Sequence, residues 1–478
     1  MGRFRRLPTL YALLAVSISG LFSDGAEPAL REQALRTLRR AATFFRSRVA
    51  SHGGYVYYYS ADLKQRWGEG VATRDQIWVQ PPGTPTVGMA YLRAYDATGD
   101  RDYLDAAREA AEALVYGQLR SGGWTNCVDF DPSGRRVAQY RNGKGHGKNN
   151  SSLDDGQTQS AIRLLVRVDK ALSFRHEGIH ESALLAMDAL LAAQFPNGGF
   201  PQGWKGPVEK RPVLKAGYPE YDWKTEGRVK NYWDMYTLND NVTGYVAQAL
   251  IDACRVYGDD RYERALRRLG DFLILAQMPE PQPAWAQQYN YDMKPIWARK
   301  FEPPAIAGDE SQEAMETLMD IYGFTGDPKY LGPIPKAMAY LRDSLLPHGR
   351  LARFYELRTN KPLYMVRRGR VYTLTYDDSD LPGHYGWKIE SRLGRIEARH
   401  NELRRADSSA RTARHDGGLE EEVRRIIKSL DEQGRWISTY RGEPLVGQPK
   451  FRPGSTYIAS AVFSRNIEIL SEYLVASR

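Results

Sequence analysis

A helix that ends in a glycine-aromatic turn recurs along this chain of 478 residues and limits what the chain can fold into. The segment at 118–124 (QLRSGGW) returns at 194–200 (QFPNGGF). A second motif, a helix end followed by a Gly-Asp turn, is found at 92–100, 250–259 and 318–327. Because glycine stops a helix, each unit is a helix, a Gly-Asp turn, a second helix and a glycine-aromatic turn.

Repeated helix pairs stack as a solenoid or close into a ring. We favour the ring, because the segments after the glycine-aromatic turns vary greatly, as loops around one site would. Apolar residues at three- and four-residue spacing predict helices at 30–50, 100–118, 158–170, 181–195, 241–257, 261–277, 311–322 and 334–346. Strand-like alternation is confined mainly to 55–59 and 371–376. The sequence therefore predicts an all-α fold, an α/α toroid with few short strands.

The first residues have the features of an export signal. Three arginines precede an apolar run at 10–22, which is too short to span a bilayer, and small residues follow it. We predict a signal peptide at 1–26, a catalytic domain at 27–478, and a secreted or periplasmic protein without a membrane span. The alternative is an ordinary buried first helix.

Residues 388–425 interrupt the repeat with a run of Arg, Glu and His around a small polar centre at 406–410. We interpret this charged insertion as a charged helix, an exposed loop and a return into the last helical unit. Such a charge run is usually a solvated face, and we assign it no function.

The overall charge indicates the kind of partner. The formal net charge is +9 and the chain contains 30 Tyr. Basic side chains pair with carboxylates and aromatic rings stack on sugar faces. Together with export, this favours an acidic polysaccharide over nucleic acid, and we expect a monomer. Cys127 and Cys254 are too few for a disulfide framework.

Polar clusters precede successive helices at comparable positions. The first contains Asp154 and Asp155, where a single Asp would suffice as an N-cap. The second contains Asn239, Asp240 and Asn241. Oxygen-bearing side chains in two such clusters suit a hard cation such as Ca²⁺.

A third cluster contains Arg299, Lys300 and Glu302. Pro303 and Pro304 cannot sit inside a helix, so Arg299 lies on an irregular, rigid loop. A structural ion pair between Arg299 and Glu302 is the alternative. No HExxH, Cys–His zinc spacing, GxSxG, P-loop or Rossmann glycine pattern is present, which leaves carboxylates and Arg as the candidate chemistry.

As an ordered set, these motifs resemble the family 10 polysaccharide lyases, the α-helical pectate lyases. The resemblance runs from about residue 80 to 390. Its segments are 152–156 (SLDDG), 198–202 (GGFPQ), 238–241 (LNDN), 298–304 (ARKFEPP), 353–357 (RFYEL) and 359–363 (TNKPL).

The resemblance implies an α/α toroid that cleaves polygalacturonate by Ca²⁺-assisted β-elimination. Carried over, Arg299 is the general base and Asp154 and Asp240 bind the metal or activate the substrate, while Arg367 matches a substrate-binding Arg. Lys300 is the fallback base. With the oxygen clusters included, the candidate metal ligands are Asp154, Asp155 and Asp240, and the candidate substrate-binding residues are Arg367, Lys300, Asn239 and Asn241.

The chain departs from the family in two places. Asp155 stands where an Asn is common, and an insertion at 206–232 is rich in Lys, Tyr and Trp. One alternative function is an α/α-toroid glycoside hydrolase that uses Asp154 and Asp240 as acid and base. Others are a non-catalytic pectin-binding protein and a terpenoid cyclase, which the export signal and the asparagines around Asp240 disfavour.

Overall fold

The computed structural model describes residues 26–226, 228–405 and 417–478. Within these ranges the chain forms twelve α-helices. They are α1 (Ala26–Phe44), α2 (Thr84–Thr98), α3 (Arg101–Gly117), α4 (Gln157–Ala171), α5 (Glu177–Ala192), α6 (Val242–Tyr257), α7 (Asp260–Ala276), α8 (Gly308–Thr325), α9 (Ile334–Asp343), α10 (Leu393–Arg405), α11 (Gly417–Ser429) and α12 (Ser460–Ala476).

The helices alternate between an inner and an outer layer. Contacts link the inner helices in the order α12, α2, α4, α6, α8 and α10. The outer helices α3, α5, α7 and α9 pack on the inner helices that precede them, and α1 and α11 pack on α12. The predicted all-α class and α/α toroid are confirmed.

Short strands join the loops at the helix ends. They are β1 (Tyr58–Ser60), β2 (Arg66–Gly68), β3 (Gly70–Val71), β4 (Gln76–Trp78), β5 (Cys127–Asp129), β6 (Ser151–Ser152), β7 (Gly203–Trp204), β8 (Tyr236–Thr237), β9 (Gln288–Tyr289), β10 (Ala305–Ala307), β11 (Arg350–Ala352), β12 (Phe354–Glu356), β13 (Pro362–Arg368), β14 (Val371–Thr375), β15 (Lys388–Glu390), β16 (Ile437–Thr439) and β17 (Thr456–Ala459). Both predicted strand regions contain one, β1 and β14.

Two small antiparallel sheets stand out among these strands. The order β16-β17-β1-β2-β3 joins the two ends of the chain, with Tyr58 opposite Ala459. The order β10-β12-β13-β14 supports the loop before α8. The two-stranded pairs β6-β7 and β8-β9 hold successive loops side by side at the end of the toroid where α4 and α6 begin.

The turns that follow α3 and α7 are each fastened to the next inner helix. Trp124, after α3, donates its backbone N–H to Thr158 Oγ1 of α4 at 3.0 Å, and its indole N–H to the Leu114 carbonyl at 2.8 Å. Trp285, after α7, bonds in the same way to Ser311 of α8 at 3.0 Å, and its indole again returns to its own outer helix.

The glutamine that opens each turn fastens neighbouring outer helices. Gln118 Nε2 donates to the carbonyls of Gly122 and of Ser182 in α5, both at 2.9 Å. Gln194 makes the equivalent bonds within its own turn at 3.0 Å and to Ala265 of α7 at 2.9 Å. The recurrence seen in the sequence is therefore the repeated joint between adjacent helix pairs.

The charged helix predicted within 388–425 is α10, which also continues the helix alternation by packing against α8. Arg395 pairs with Glu316 of α8 at 2.7 Å, and Arg399 pairs with Asp320 at 2.5 Å. The charges of α10 thus bind it to α8. The polar centre at 406–410 lies outside the described residues.

In the ranges that the structure covers, no helix has the length and apolar character needed to cross a bilayer. The signal peptide proposed at 1–26 lies outside the described residues except for Ala26, where α1 begins. Both thiols, Cys127 and Cys254, are free.

We expect Gln118→Leu to lower the free energy of unfolding by about 2–3 kcal/mol, because two buried carbonyls lose their donor. Gln65→Leu is the matched control: Gln65 is exposed, so its loss should change stability by less than about 0.5 kcal/mol. Denaturant unfolding of both variants measures the difference. Equal stability of the two variants would contradict the role of this glutamine as a joint.

Candidate active site

Two turns of the same shape carry the acidic residues. Asp154–Gly156 before α4 and Asn239–Asn241 before α6 are single 3-10 turns. Asp155 and Asp240 occupy equivalent positions in them, with φ of 47° and 55°. Asp and Asn tolerate this left-handed backbone better than most residues, so the polar clusters suit the tight entry into each inner helix.

One guanidinium joins the two turns. Arg299 Nη2 lies 3.4 Å from Asp154 Oδ1 and 3.2 Å from Asp240 Oδ2. All three side chains are partly buried. The structure therefore brings together three residues that are separated along the chain by whole helix pairs.

The loop that carries Arg299 is closed on itself by Glu302. The Glu302 carboxylate accepts the Arg299 backbone N–H at 2.9 Å and lies 3.6 Å from its Nε. Glu302 N–H donates in turn to the Arg299 carbonyl at 3.0 Å. The structural Arg–Glu pair considered above is thus present, and it coexists with the contacts to Asp154 and Asp240.

The charges around Arg299 stabilise one another. Burial by itself would lower the pKa of Arg299, but the carboxylates of Glu302, Asp240 and Asp154 outweigh this and raise the pKa. The pKa of Asp240 is raised well above its usual range, first by burial and then by the hydrogen bond and negative charge of Asp154. A proton or cation between the two aspartates therefore stabilises the pair.

Amide side chains hold the aspartates in place. Gln202 Nε2 donates to Asp154 Oδ1 at 2.6 Å, and Asn239 Nδ2 donates to Asp240 Oδ2 at 2.7 Å. Gln287 Nε2 donates to Asn239 Oδ1 at 2.6 Å. Because Asn239 is only 2% exposed, it lies beneath the Asp240 carboxylate and orients it.

Two other candidates make their contacts elsewhere. Asp155 Oδ2 accepts from Gln80 Nε2 at 2.9 Å. Although part of this side chain reaches solvent, its pKa is raised to about 6, first by desolvation and then by the charges of Asp154 and Glu69. Asn241 lines a cavity of about 390 Å³ between α6, α8 and α10.

Arg299 also forms part of the wall of a cleft of about 590 Å³, which we call the cationic cleft. Its lining residues are Arg228, Val229, Lys230, Tyr232, Ala298, Arg299, Lys300, Phe301 and Tyr372. Four of them are cations, and none of these lining residues, all from the described part of the chain, is a carboxylate. A surface of this kind attracts an anionic polymer.

The last two candidates lie along this cleft. Lys300 is exposed on its wall. Arg367, on β13, stacks over Tyr372 with its guanidinium carbon 5.5 Å from the ring centroid. The Tyr372 ring is in turn 5.3 Å from that of Phe301, so Arg367 contacts a lining residue of the cleft without lining the cleft itself.

Several residues of the site carry no motif. Arg228, Lys230 and Tyr232 belong to the insertion at 206–232, for which the sequence offered only an unusual content of Lys, Tyr and Trp. Tyr385 donates its hydroxyl to Glu302 Oε1 at 3.2 Å from a distant loop, and nothing in its sequence context indicates that contact.

The donors at the centre fit a hard cation only as a partial ligand set. Across the described ranges, no three or more His, Cys, Asp and Glu side chains are arranged to hold a metal. Asp154 and Asp240 nevertheless present carboxylate oxygens to the point where Arg299 Nη2 lies. Ca²⁺ accepts carboxylate, carbonyl and water oxygens, so these two aspartates suit it if further oxygens complete the shell.

Residues 128–325 match the family described as pectic acid lyase. The resemblance read from the motifs is thereby confirmed over this segment, which contains Asp154, Asp240 and Arg299 but ends before Arg367. The match supports the enzyme class at the level of a polysaccharide lyase. A comparison with curated proteins gave no match.

Solved structures are similar to the chain at low identity. A family 10 polysaccharide lyase from Cellvibrio cellulosa is 19% identical, with 64% of this chain and 97% of that one covered and a TM-score of 0.45. A cellobiose 2-epimerase from Bacillus thermoamylovorans is 14% identical, with 93% and 99% covered and a TM-score of 0.50. The epimerase likeness shows a shared fold and nothing about activity.

We expect Asp155→Asn to make the melting temperature less dependent on pH. The folded-state pKa of about 6 exceeds the model-compound value of 3.8. The ionised Asp155 therefore destabilises the fold, and this destabilisation grows as the pH rises from about 4 to above 6. Melting curves in chelator from pH 4 to 8 should show the variant gaining on the parent over that interval. A constant difference between the two proteins would contradict the raised pKa.

Proposed function

We propose that this chain, a polysaccharide lyase by its family match, is a secreted pectate lyase that cleaves polygalacturonate by β-elimination. The observation that carries the proposal is the position of Arg299: it contacts both Asp154 and Asp240 and also lines the cationic cleft. A base, an acidic pair and a surface for a polyanion thus meet at one place.

The reaction sets a clear task for each group. A base removes the proton on C5 of a uronate and negative charge develops on the adjacent carboxylate; the C4–oxygen bond then breaks as the C4=C5 double bond forms, and the departing oxygen takes up a proton. Arg228, Lys230 and Lys300 supply positive charge along the cleft, where they pair with the carboxylates of the polymer. Fixed cations beside the developing enolate lower the barrier because they need no reorganisation during the reaction.

Arg299 is the proposed base, and its carboxylate partners oppose that role as long as they are charged. Glu302, Asp240 and Asp154 together keep the guanidinium protonated. Neutralising the two aspartates removes part of this stabilisation, while Glu302, the largest contributor to it, remains. The proton on Arg299 is therefore controlled by whatever compensates Asp154 and Asp240.

We propose that Asp154 and Asp240 hold Ca²⁺ during turnover. When bound, Ca²⁺ supplies positive charge that acidifies C5 through the substrate carboxylate. Gln202 and Asn239 keep the two carboxylates oriented for this purpose. Asp155, bonded to Gln80, adds negative charge from the next position.

The glycoside hydrolase alternative fits the geometry less well. Its paired carboxyl groups stand about 5–10 Å apart, so that a sugar carbon or a water lies between them. The space between Asp154 and Asp240 is instead taken by the Arg299 guanidinium, one nitrogen of which lies within 3.4 Å of both carboxylates. A pectin-binding protein without activity differs from a lyase only in turnover, which the assay below measures. Export and a monomeric state remain parts of the proposal.

We expect Arg299→Ala to lower kcat on polygalacturonate by about 10²–10⁴-fold, the usual contribution of a general base. The ultraviolet absorbance of the unsaturated product reports the rate. Lys300→Ala is the matched control, because it removes a neighbouring cation of the same cleft and should mainly raise KM. An active Arg299→Ala protein with an inactive Lys300→Ala protein would transfer the role of base to Lys300.

We expect excess chelator to abolish elimination, and added Ca²⁺ to restore it. Asp154→Ala should shift the restoring Ca²⁺ concentration upward, because half of the proposed aspartate pair is gone. Product absorbance at a series of free Ca²⁺ concentrations provides the measurement. Full activity in chelator would remove the metal from the proposal while leaving Arg299 as the base.

A further inference from the structure

A second cleft lies next to the cationic cleft, and residues 231–233 border both. Tyr232 lines the cationic cleft, whereas the adjacent Asn231 and Trp233 line a separate cavity of about 640 Å³, which we call the aromatic cleft. This volume is within the range of about 300–1,000 Å³ typical of small-molecule sites. The two clefts therefore flank a single short strap, residues 231–233.

The aromatic cleft is connected to the reacting centre through one residue. Gln202 N–H donates to the Trp233 carbonyl at 2.9 Å, while its side chain donates to Asp154 at 2.6 Å. The chain then continues directly into Gly203 and Trp204, which line the aromatic cleft. Gln202 thus places the wall of the aromatic cleft next to Asp154.

The two clefts differ in charge. The cationic cleft has four cations on its wall, whereas in the aromatic cleft Lys205 and Arg211 are matched by Asp234 and Glu209. Arg211 pairs with Glu209 at 2.6 Å. Burial raises the pKa of the Asp234 carboxyl, and the positive charge of the nearby Lys205 opposes this rise. A uronate entering here would gain little net attraction and would meet two carboxylates.

The remaining wall suits the faces and hydroxyl groups of a sugar. Trp233 is 41% exposed, whereas Trp204 is buried and held by the bond from its indole N–H to the Ser121 carbonyl at 3.0 Å. An exposed aromatic face such as that of Trp233 packs against the C–H face of a pyranose. The carboxylates of this wall accept hydrogen bonds from sugar hydroxyls, and the amides of Asn150 and Asn231 both donate and accept them.

We propose that the aromatic cleft binds an uncharged sugar residue adjacent to the uronate at Arg299. The preferred substrate is then an acidic polysaccharide in which uncharged residues flank the cleaved uronate. This inference rests on the proposed lyase function. Two sources share the chemistry, a neutral backbone sugar and a methyl-esterified uronate.

The experiment compares three polymers: de-esterified polygalacturonate, partly methyl-esterified polygalacturonate, and a polymer in which galacturonate alternates with the neutral sugar rhamnose. We expect the parent protein to have the higher kcat/KM on one of the latter two, which identifies the source. Trp233→Ala should reduce that preference about tenfold, which corresponds to about 1.4 kcal/mol. Phe174→Ala is the control, because Phe174 has a similar exposure, 46%, on the loop between α4 and α5.

A second variant tests the same inference in case the Trp233→Ala protein does not fold. Glu209→Gln removes one carboxylate from an exposed position and gives the aromatic cleft a net positive charge. We expect it to shift the preference toward de-esterified polygalacturonate. The inference is overturned if the parent prefers the fully de-esterified polymer, or if both cleft variants leave the substrate ratios unchanged.

Failure of the lyase proposal is detected separately. Calorimetric binding of methyl-esterified and de-esterified hexagalacturonate to the parent protein in chelator needs no turnover. If no polymer yields an unsaturated product, the lyase proposal fails, while tighter binding of the esterified probe that Trp233→Ala removes still supports the aromatic cleft. If elimination proceeds and neither binding nor rates depend on Trp233, the cleft inference alone fails.

Discussion

The fold depends on a hydrogen-bonded joint that is repeated between helix pairs. A buried glutamine at the end of an outer helix satisfies carbonyls of its own turn and of the next outer helix, as Gln118 does. The aromatic residue that follows fixes the turn to a hydroxyl at the start of the next inner helix, as Trp124 does to Thr158. Because these groups are buried and mutually satisfied, the turn has one geometry, and each joint sets the position of the next inner helix.

The joint also explains where the site forms. The joint places the N-terminal ends of α4, α6 and α8 at the same end of the toroid. The strand pairs β6-β7 and β8-β9 then link the successive loops that enter these helices. Negative side chains are favoured at helix N-termini. Asp154 and Asp240 sit in the turns that enter α4 and α6, and the loop before α8 brings Arg299 between them.

The site concentrates charge at a cost that the surrounding groups offset. Asp240 and Glu302 are buried carboxyls whose pKa values are raised by desolvation, and Arg299 compensates both. The amides of Gln202 and Asn239 each donate one further hydrogen bond to the aspartates. Such mutual dependence means that a change in protonation or a bound cation at one residue alters the state of the others.

The sequence by itself determined the helix-pair repeat, because its glycines, glutamines and aromatic residues act locally at each helix end. It also determined that Asp154, Asp240 and Arg299 precede successive inner helices. It missed α2 and α12 as full helices. The tertiary structure decided that α10 is bound by ion pairs to α8, and that Tyr232 and Trp233 separate a cationic from a charge-balanced cleft. Those features arise from contacts between side chains that are far apart in the chain, and the spacing of these residues along the sequence does not indicate that they meet.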